Sequence, residues 1–444
     1  MGKVFKKTLG FVAAVVVSAV GVALAPATGG ASLVFAGKIA TALFVGNLLT
    51  LTASLFIKKP SMDLSAVVDR LNATINPNAL GKFVFGQTAA ATDMVYAEAR
   101  DNRYITQIFE AAAHEVNSFK ELYLEDELAI NSSGVVQSAW SGIITRYTNL
   151  GTEGQTALSI PGTLWPSSAR GRGKAQYAIR WDLKNGKDKL SGGIPSRLTQ
   201  VVEGAKTYDP RLDTTVGGSG SHRADTQSTW TYNSNGNLVL IALSYILGYR
   251  TNSKLIFGVG EDPNNIDYAS FIAAANISEE TVDSKPRYKI GGLFETNNDH
   301  AYVLTQLEAA IGAKIAKQGG KWAIWVPHDD VVGTGTGIGE DDLLRQVEVE
   351  FAPAGEIQDL FNTARGRFVD PSALYQLAPY PEVVESAAVT ADGRERVKEH
   401  DFSIIQDVSI AERVARYFVR RSRFSAIWRI GVGPMALQYK PFDV

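Results

Sequence analysis

Apolar positions run almost unbroken through the first 59 residues. One stretch extends from Leu9 to Ala25, Pro26-Ala27-Thr28-Gly29-Gly30 interrupts it, and a second runs from Ala31 to Ile57 with Lys38 as its one charged residue. Each approaches the roughly 20 apolar residues that cross a bilayer as a helix. Leu9, Phe11, Val15 and Val22 carry the first run, and Leu33, Phe35, Leu43, Phe44, Leu48, Leu51 and Phe56 the second. Lysines before the first and after the second would leave both ends of a helical hairpin on one basic side. Three readings are open. Lys3, Lys6 and Lys7 with Ala23-Leu24-Ala25 resemble a secretory signal peptide and its cleavage site, although a mature secreted domain has no use for the second run. The others are a membrane hairpin, and a bundle of apolar helices from several subunits buried inside an assembly, which the Ala and Gly content permits.

Beyond residue 59 the pattern shortens. Phe83 to Phe85, Tyr104 to Phe109, Glu121 to Leu124, Ala175 to Trp181 and Leu198 to Glu203 are alternating or β-branched runs between turn residues, which predict antiparallel sheet. From Asn233 the period lengthens. Helices are expected over Asn237 to Gly248, Asn264 to Asn276 and Asp299 to Lys317, with strands Tyr288 to Ile290 and Lys321 to Val326 between and after them, a compact α+β unit. Val331 to Gly339 is a glycine-threonine loop and Gln346 to Phe351 a strand. After a polar stretch around Ala391 to His400, a helix is expected from Asp407 to Arg423, then closing strands Ala426 to Val432 and Met435 to Tyr439.

The fold class is therefore α+β: mainly antiparallel β domains with a small inserted α+β domain and an N-terminal apolar helical hairpin. The expected boundaries are 1–59 for the hairpin, 60–230 for a β-rich domain, 231–335 for the α+β domain, and 336–444 for a second β-rich domain with a helix, readable as an incomplete barrel.

Charge sharpens the division. The first carboxylate is Asp63, and six of the 44 basic residues lie in the apolar head. That leaves 38 against 46 acidic residues, a net charge of −8 on the body, which argues against a general polyanion binder. There is no cysteine, so disulfides, thiolate metal sites and cysteine nucleophiles are excluded.

Candidate chemistry is sparse. The five histidines form no spaced metal motif. His328-Asp329-Asp330 precedes Gly333-Thr334-Gly335-Thr336-Gly337-Ile338-Gly339, but that spacing, followed by Glu340-Asp341-Asp342, is not a dinucleotide fingerprint. Glu125-Asp126-Glu127 reads as a solvated turn. The arginines flanking the last helix, Arg413, Arg416, Arg420 and Arg421, read as an exposed surface or a subunit contact. No catalytic residue, metal or cofactor is expected.

One stretch is specific. Gly193-Ile194-Pro195, Val201-Val202-Glu203-Gly204 and Lys206-Thr207-Tyr208-Asp209-Pro210-Arg211 are followed by Trp230, Tyr232, Asn233, Asn235 and the apolar run Leu238 to Leu247. Further on come Ile266-Asp267-Tyr268, Phe271, Ala274-Ala275-Asn276, Arg287-Tyr288-Lys289-Ile290, Gly319-Gly320-Lys321-Trp322, Phe361-Asn362, Gly366 and Phe368-Val369-Asp370-Pro371. In this order, over residues 82 to 444, the chain resembles the tail-tip attachment family, the central tail hub proteins of lambda-like long-tailed phages. Within the motif, Asp209-Pro210 favours a turn and Arg211 is placed to pair with an acid or a carbonyl.

The resemblance implies a non-enzymatic virion protein at the distal end of the tail: a homotrimeric hub adapting the tail tube to the tip. Its implied partners are distal tail and tail tube proteins, the tape measure protein, tail fibres or receptor-binding proteins, the host membrane during ejection, and genomic DNA in transit. Family members usually continue past the strand that here ends at Pro441-Phe442-Asp443-Val444, and the long apolar head is a departure. That head is expected to plug the lumen or enter the host membrane. The alternative is a membrane-anchored binding protein with a soluble β-rich domain; a tail-tip peptidoglycan hydrolase would need a convergent acid pair or metal site, which the sequence lacks.

Overall fold

The computed structural model describes residues 73–74, 79–328, 343, 349–352, 360–423 and 427–432, all in the unit Ser61–Val444. The apolar positions from Leu9 to Phe56, the loop from Asp329 to Gly339 and the strand expected at Met435 to Tyr439 lie outside the described residues. Among the described residues no helix is long and apolar enough to cross a membrane.

Two sheets share one core. The first has five strands in the order Ala73–Thr74, Thr92–Arg100, Tyr104–Ala112, Ala175–Asp182 and Ile144–Asn149. Only its first pair is parallel. The second is antiparallel, in the order Gln87–Ala90, Leu198–Glu203, Ser118–Leu124 and Glu127–Ile130. Alternate residues of both sheets meet inside: Phe109, Tyr177 and Trp181 from the first, Leu122, Leu124 and Val202 from the second. Phe109 and Tyr177 stack at 5.0 Å.

The strand Lys82–Phe85 joins this core to a helical one. Its period of two sends Val84 into the sandwich and Phe83 and Phe85 into the helical side, where the strand pairs with Gly292–Glu295. The helical side contains α1 (Leu238–Leu247), α2 (Tyr268–Glu279) and α3 (His300–Ile311). All ten residues of α1 are buried, so its continuous apolar run reflects neighbours on every side. The same core takes in α5 (Val408–Arg423) along a full stripe of Ile410, Ala411, Val414, Ala415 and Val419, while α4 (Ser386–Asp392) buries Ala388 alone.

Several expectations shift. The helix expected to reach Lys317 stops at Ile311, because Gly312 takes φ 73° and lies against the Tyr417 ring; Lys314–Gln318 then forms a hairpin with Lys321–Trp325. Tyr288 to Ile290 is not a strand: Ile290 makes one isolated bridge to Ile405, and the regular pairing begins at Gly292. The polar stretch from Ala391 to His400 holds the end of α4 and the strand Val397–Glu399. Strands Thr92–Arg100 and Ile144–Asn149 do not alternate cleanly between apolar and polar residues, so hydrophobic period does not predict them. Four hairpins turn on Asp101-Asn102, Glu125-Asp126, Asn252-Ser253 and Asp283-Ser284, all with φ between 47° and 70°, the left-handed pair that two-residue loops require.

Candidate functional site

The strand Leu198–Glu203 ends at Gly204, where a Cβ would lie 2.4 Å from the Val84 carbonyl oxygen, too close for any side chain. The chain then enters the helical core with Tyr208. Its amide donates to Ser244 Oγ at 2.8 Å, and its hydroxyl to Asp213 Oδ2 at 2.7 Å. Burial, then the bond to Asp213, holds the phenol protonated far above its ordinary range.

Asp209 caps the one-turn 3-10 helix Pro210–Leu212: its side chain accepts from the Arg211 amide at 2.9 Å. Proline supplies the fixed φ that such a first position favours and has no N–H to leave unpaired. Arg211 folds back onto the same carboxylate, Nε to Oδ1 at 2.9 Å and Nη2 to Oδ2 at 2.7 Å. Its outer side reaches α2, with Nη1 to Glu279 Oε2 at 2.8 Å, Nη2 to Glu279 Oε1 at 3.1 Å and Nη1 to Asn276 Oδ1 at 3.1 Å. Glu279 also accepts from Asn233 and Asn237, both at 3.0 Å. Asn237 in turn caps α1, accepting from Val239 N and donating to Ala275 O.

Electrostatics follow from this packing. Burial raises the Glu279 carboxyl, but the bonds from Arg211, Asn237 and Asn233 outweigh it and the net shift is downward. Burial opposes the Arg211 charge, and Asp209 with Glu279 reverses that, holding the guanidinium charged. His222 lies beneath: its Nδ1 accepts the Asp209 amide at 3.1 Å, so Nε2 carries the proton and donates to Thr231 Oγ1 at 3.2 Å. Burial lowers this imidazole against the pull of Asp209 and Asp213.

The arrangement is a saturated clamp. Tyr208, Asp209, Pro210 and Arg211 lock a turn to the start of α1 and the end of α2, and each nitrogen of the guanidinium is bonded. Asn233 and Asn276, distant in sequence, converge on it. Glu279, Asn237, Asp213 and His222 were missed by sequence reasoning; the spacing of Asn237 before an apolar run was the one available signal, as a helix cap.

Most of the other candidates are also engaged, whereas Arg416 is exposed. Glu125 accepts from the amides of Ser196 and Arg197, Asp126 pairs with Arg197 at 2.9 Å and Glu127 with Lys189 at 2.6 Å, around a hairpin turn. Arg413 donates to Arg287 O, Arg420 pairs with Glu385 at 3.2 Å and Arg423 with Asp392 at 2.7 Å. His328 lies 3.1 Å from Glu280. Among the described residues no group of three or more His, Asp or Glu is placed to hold a metal ion.

Comparison with solved structures gives a fold-level likeness to a chain of the virion of the native gene transfer agent particle. The TM-score is 0.56 with 15% sequence identity, over 91% of this chain and 87% of that one. At that identity the likeness is one of fold. No family model matches the chain, and no curated protein matches it.

Proposed function

We propose that this chain is a structural component of a phage-type virion, a trimeric hub at the distal end of the tail that adapts the tube to the tip and closes the channel until DNA ejection. The observation that carries the reading is the fold likeness to a virion chain over nine-tenths of both chains. The ordered series of motifs from Gly193 to Pro371 supports it from the sequence side. The saturated clamp at Tyr208 to Arg211 fits a load-transmitting scaffold, since all its polar groups are used in holding elements together.

Within this reading the basic, acid-free head from Leu9 to Phe56 plugs the lumen or enters the host membrane. Apolar surface of that extent is an aggregation hazard in water and has to be covered before use. Electron cryomicroscopy of the tail end, with and without host-derived vesicles, is the test. Three copies capping the tube, with the head enclosed and later in lipid, is the expected result. Absence of the chain from the particle overturns the hub and favours the membrane-anchored binding protein. Particles lacking residues 1 to 59 that assemble and infect normally overturn the plug alone.

A further inference from the structure

Among the described residues one lysine is buried. Lys82 opens the strand that passes between the two cores, and the period of two puts its side chain on the side of Val84, toward the sandwich. Its Nζ is in contact with Asp93 Oδ2, near the start of the strand Thr92–Arg100. Both side chains are 10% exposed, whereas every other described lysine paired with a carboxylate is at least 27% exposed.

The backbone fixes both partners. Lys82 is paired with Glu295 in the ladder, and its carbonyl accepts from Ala113 N at 2.9 Å. Asp93 stands between Thr74 in a parallel pairing and Glu110 in an antiparallel one. Glu295, directly opposite Lys82, is the acid nearest by register, yet Nζ lies on Asp93. Glu110, as the direct cross-strand partner of Asp93, shares its face of the sheet, with Cβ atoms about 4.5–5.5 Å apart. Its side chain is largely buried and its Oε2 is held by Lys174 at 2.9 Å.

A buried ion pair is a weak source of stability, because taking two charges out of water costs about as much as their attraction returns. A neutral amide between the same groups escapes that cost. The setting also supplies what amide formation needs. Amine and carboxyl are held together by strands, a geometry in which effective concentrations reach about 10⁵–10⁸ M, and water that would hydrolyse the product is largely excluded.

We propose that Lys82 and Asp93 are joined by an isopeptide bond that the chain forms on itself once folded. A proton passes from Nζ to the carboxylate within the pair, so that a neutral amine faces a neutral acid. The Nζ lone pair attacks Asp93 Cγ, Glu110 takes a proton from the nitrogen and hands it to the departing hydroxyl, and the Cγ–O bond breaks. Ammonium and carboxylate become amide and water, with no oxidant or reductant required. Residues 82–93 are then a closed ring. Tension on the chain preceding Lys82 passes through the bond into Thr92–Arg100 without peeling Lys82–Phe85 from Gly292–Glu295. This goes beyond the hub reading and does not depend on it.

Intact-mass spectrometry of the denatured full-length protein is the test. Wild type is expected one water, about 18 Da, below its sequence mass, with K82M and D93A at their full masses. Trypsin, blocked at an acylated Lys82, should release residues 71–100 as one peptide that yields no sequence fragments from within the ring. Wild type at full mass and cleaved after Lys82 is an ion pair only and overturns the proposal, whether or not the variants fold. A water missing from another peptide, or a loss retained in K82M or D93A, overturns it equally. E110Q, confirmed as folded by circular dichroism, is expected to stay largely unlinked, and complete linkage there overturns the proton transfer assigned to Glu110. The place of the chain in a particle enters none of these results, and imaging of the tail end decides it separately.

Discussion

Replacing Arg211 by Met keeps the length of the side chain and removes its charge, leaving Asp209 and Glu279 facing each other without their shared cation. The side chains of Arg211 and Glu279 are each 21% exposed and that of Asp209 is 10% exposed, so water screens the loss only in part. Breaking a fully buried pair costs about 3–5 kcal/mol and an exposed one about 0–1 kcal/mol. A clamp buried to four-fifths belongs between them, at about 2–3 kcal/mol. With an unfolding entropy of about 2.1 cal/mol/K per residue, a unit of this size loses roughly 3 °C in Tm. Thermal melting of Arg211→Met, Glu279→Gln and the double variant measures both the loss and its origin. The double variant is expected to be less destabilised than the sum of the singles by about 1–2 kcal/mol, because Arg211 and Glu279 share one interaction. A loss below about 0.5 kcal/mol, or additivity within that margin, refutes the clamp as a stabilising element.

Other outcomes follow from the same geometry. His114 is buried among Phe83, Tyr249 and Phe257, its Nε2 accepting the Val84 amide at 2.8 Å while Nδ1 faces Glu115 O at 2.7 Å. Burial lowers its pKa from 6.5 to about 4, so the unfolded chain binds a proton that the folded one refuses. Stability from this group is complete above pH 6.5, falls as pH drops toward 4 and levels off below, by at most about 3 kcal/mol. Urea midpoints of wild type and His114→Gln across pH 4 to 7 are expected to converge at low pH, and parallel curves would contradict the assignment. Gly204→Ala, whose added methyl meets the Val84 carbonyl, should cost about 1–3 kcal/mol in the same assay. Asn237→Ala removes the cap of α1 and a donor to Glu279, and should cost about 1–2 kcal/mol, with Asn237→Asp worse because its carboxylate would face that of Glu279.

The sequence alone determined the elements whose signal is local. Runs such as Leu198 to Glu203 alternate or are β-branched over their own length, and Val414, Tyr417 and Phe418 recur at helical spacing between Asp407 and Arg423, so hydrophobic period located both elements, although the structure buries Ile410, Ala411, Val414, Ala415 and Val419 and leaves Tyr417 and Phe418 partly exposed. Asp209-Pro210-Arg211 specified a turn because proline fixes φ and a preceding aspartate can cap it. The charge division between the basic head and the acidic body is likewise a property of the chain as written.

Tertiary structure decided what depends on neighbours distant in sequence. Thr92–Arg100 is a strand because Tyr104–Ala112 pairs with it, although its residues alternate poorly. The helix beginning at His300 ends at Gly312, where Tyr417 from α5 fills the space beside the backbone, and no pattern before Gly312 announces that ring. Val84 and Phe83 serve two different cores because one strand passes between them. Arg211 was legible as a cation seeking an acid, but only folding selects Glu279, since which carboxylate arrives within 3 Å is set by the packing of α1 on α2 and not by any spacing along the chain.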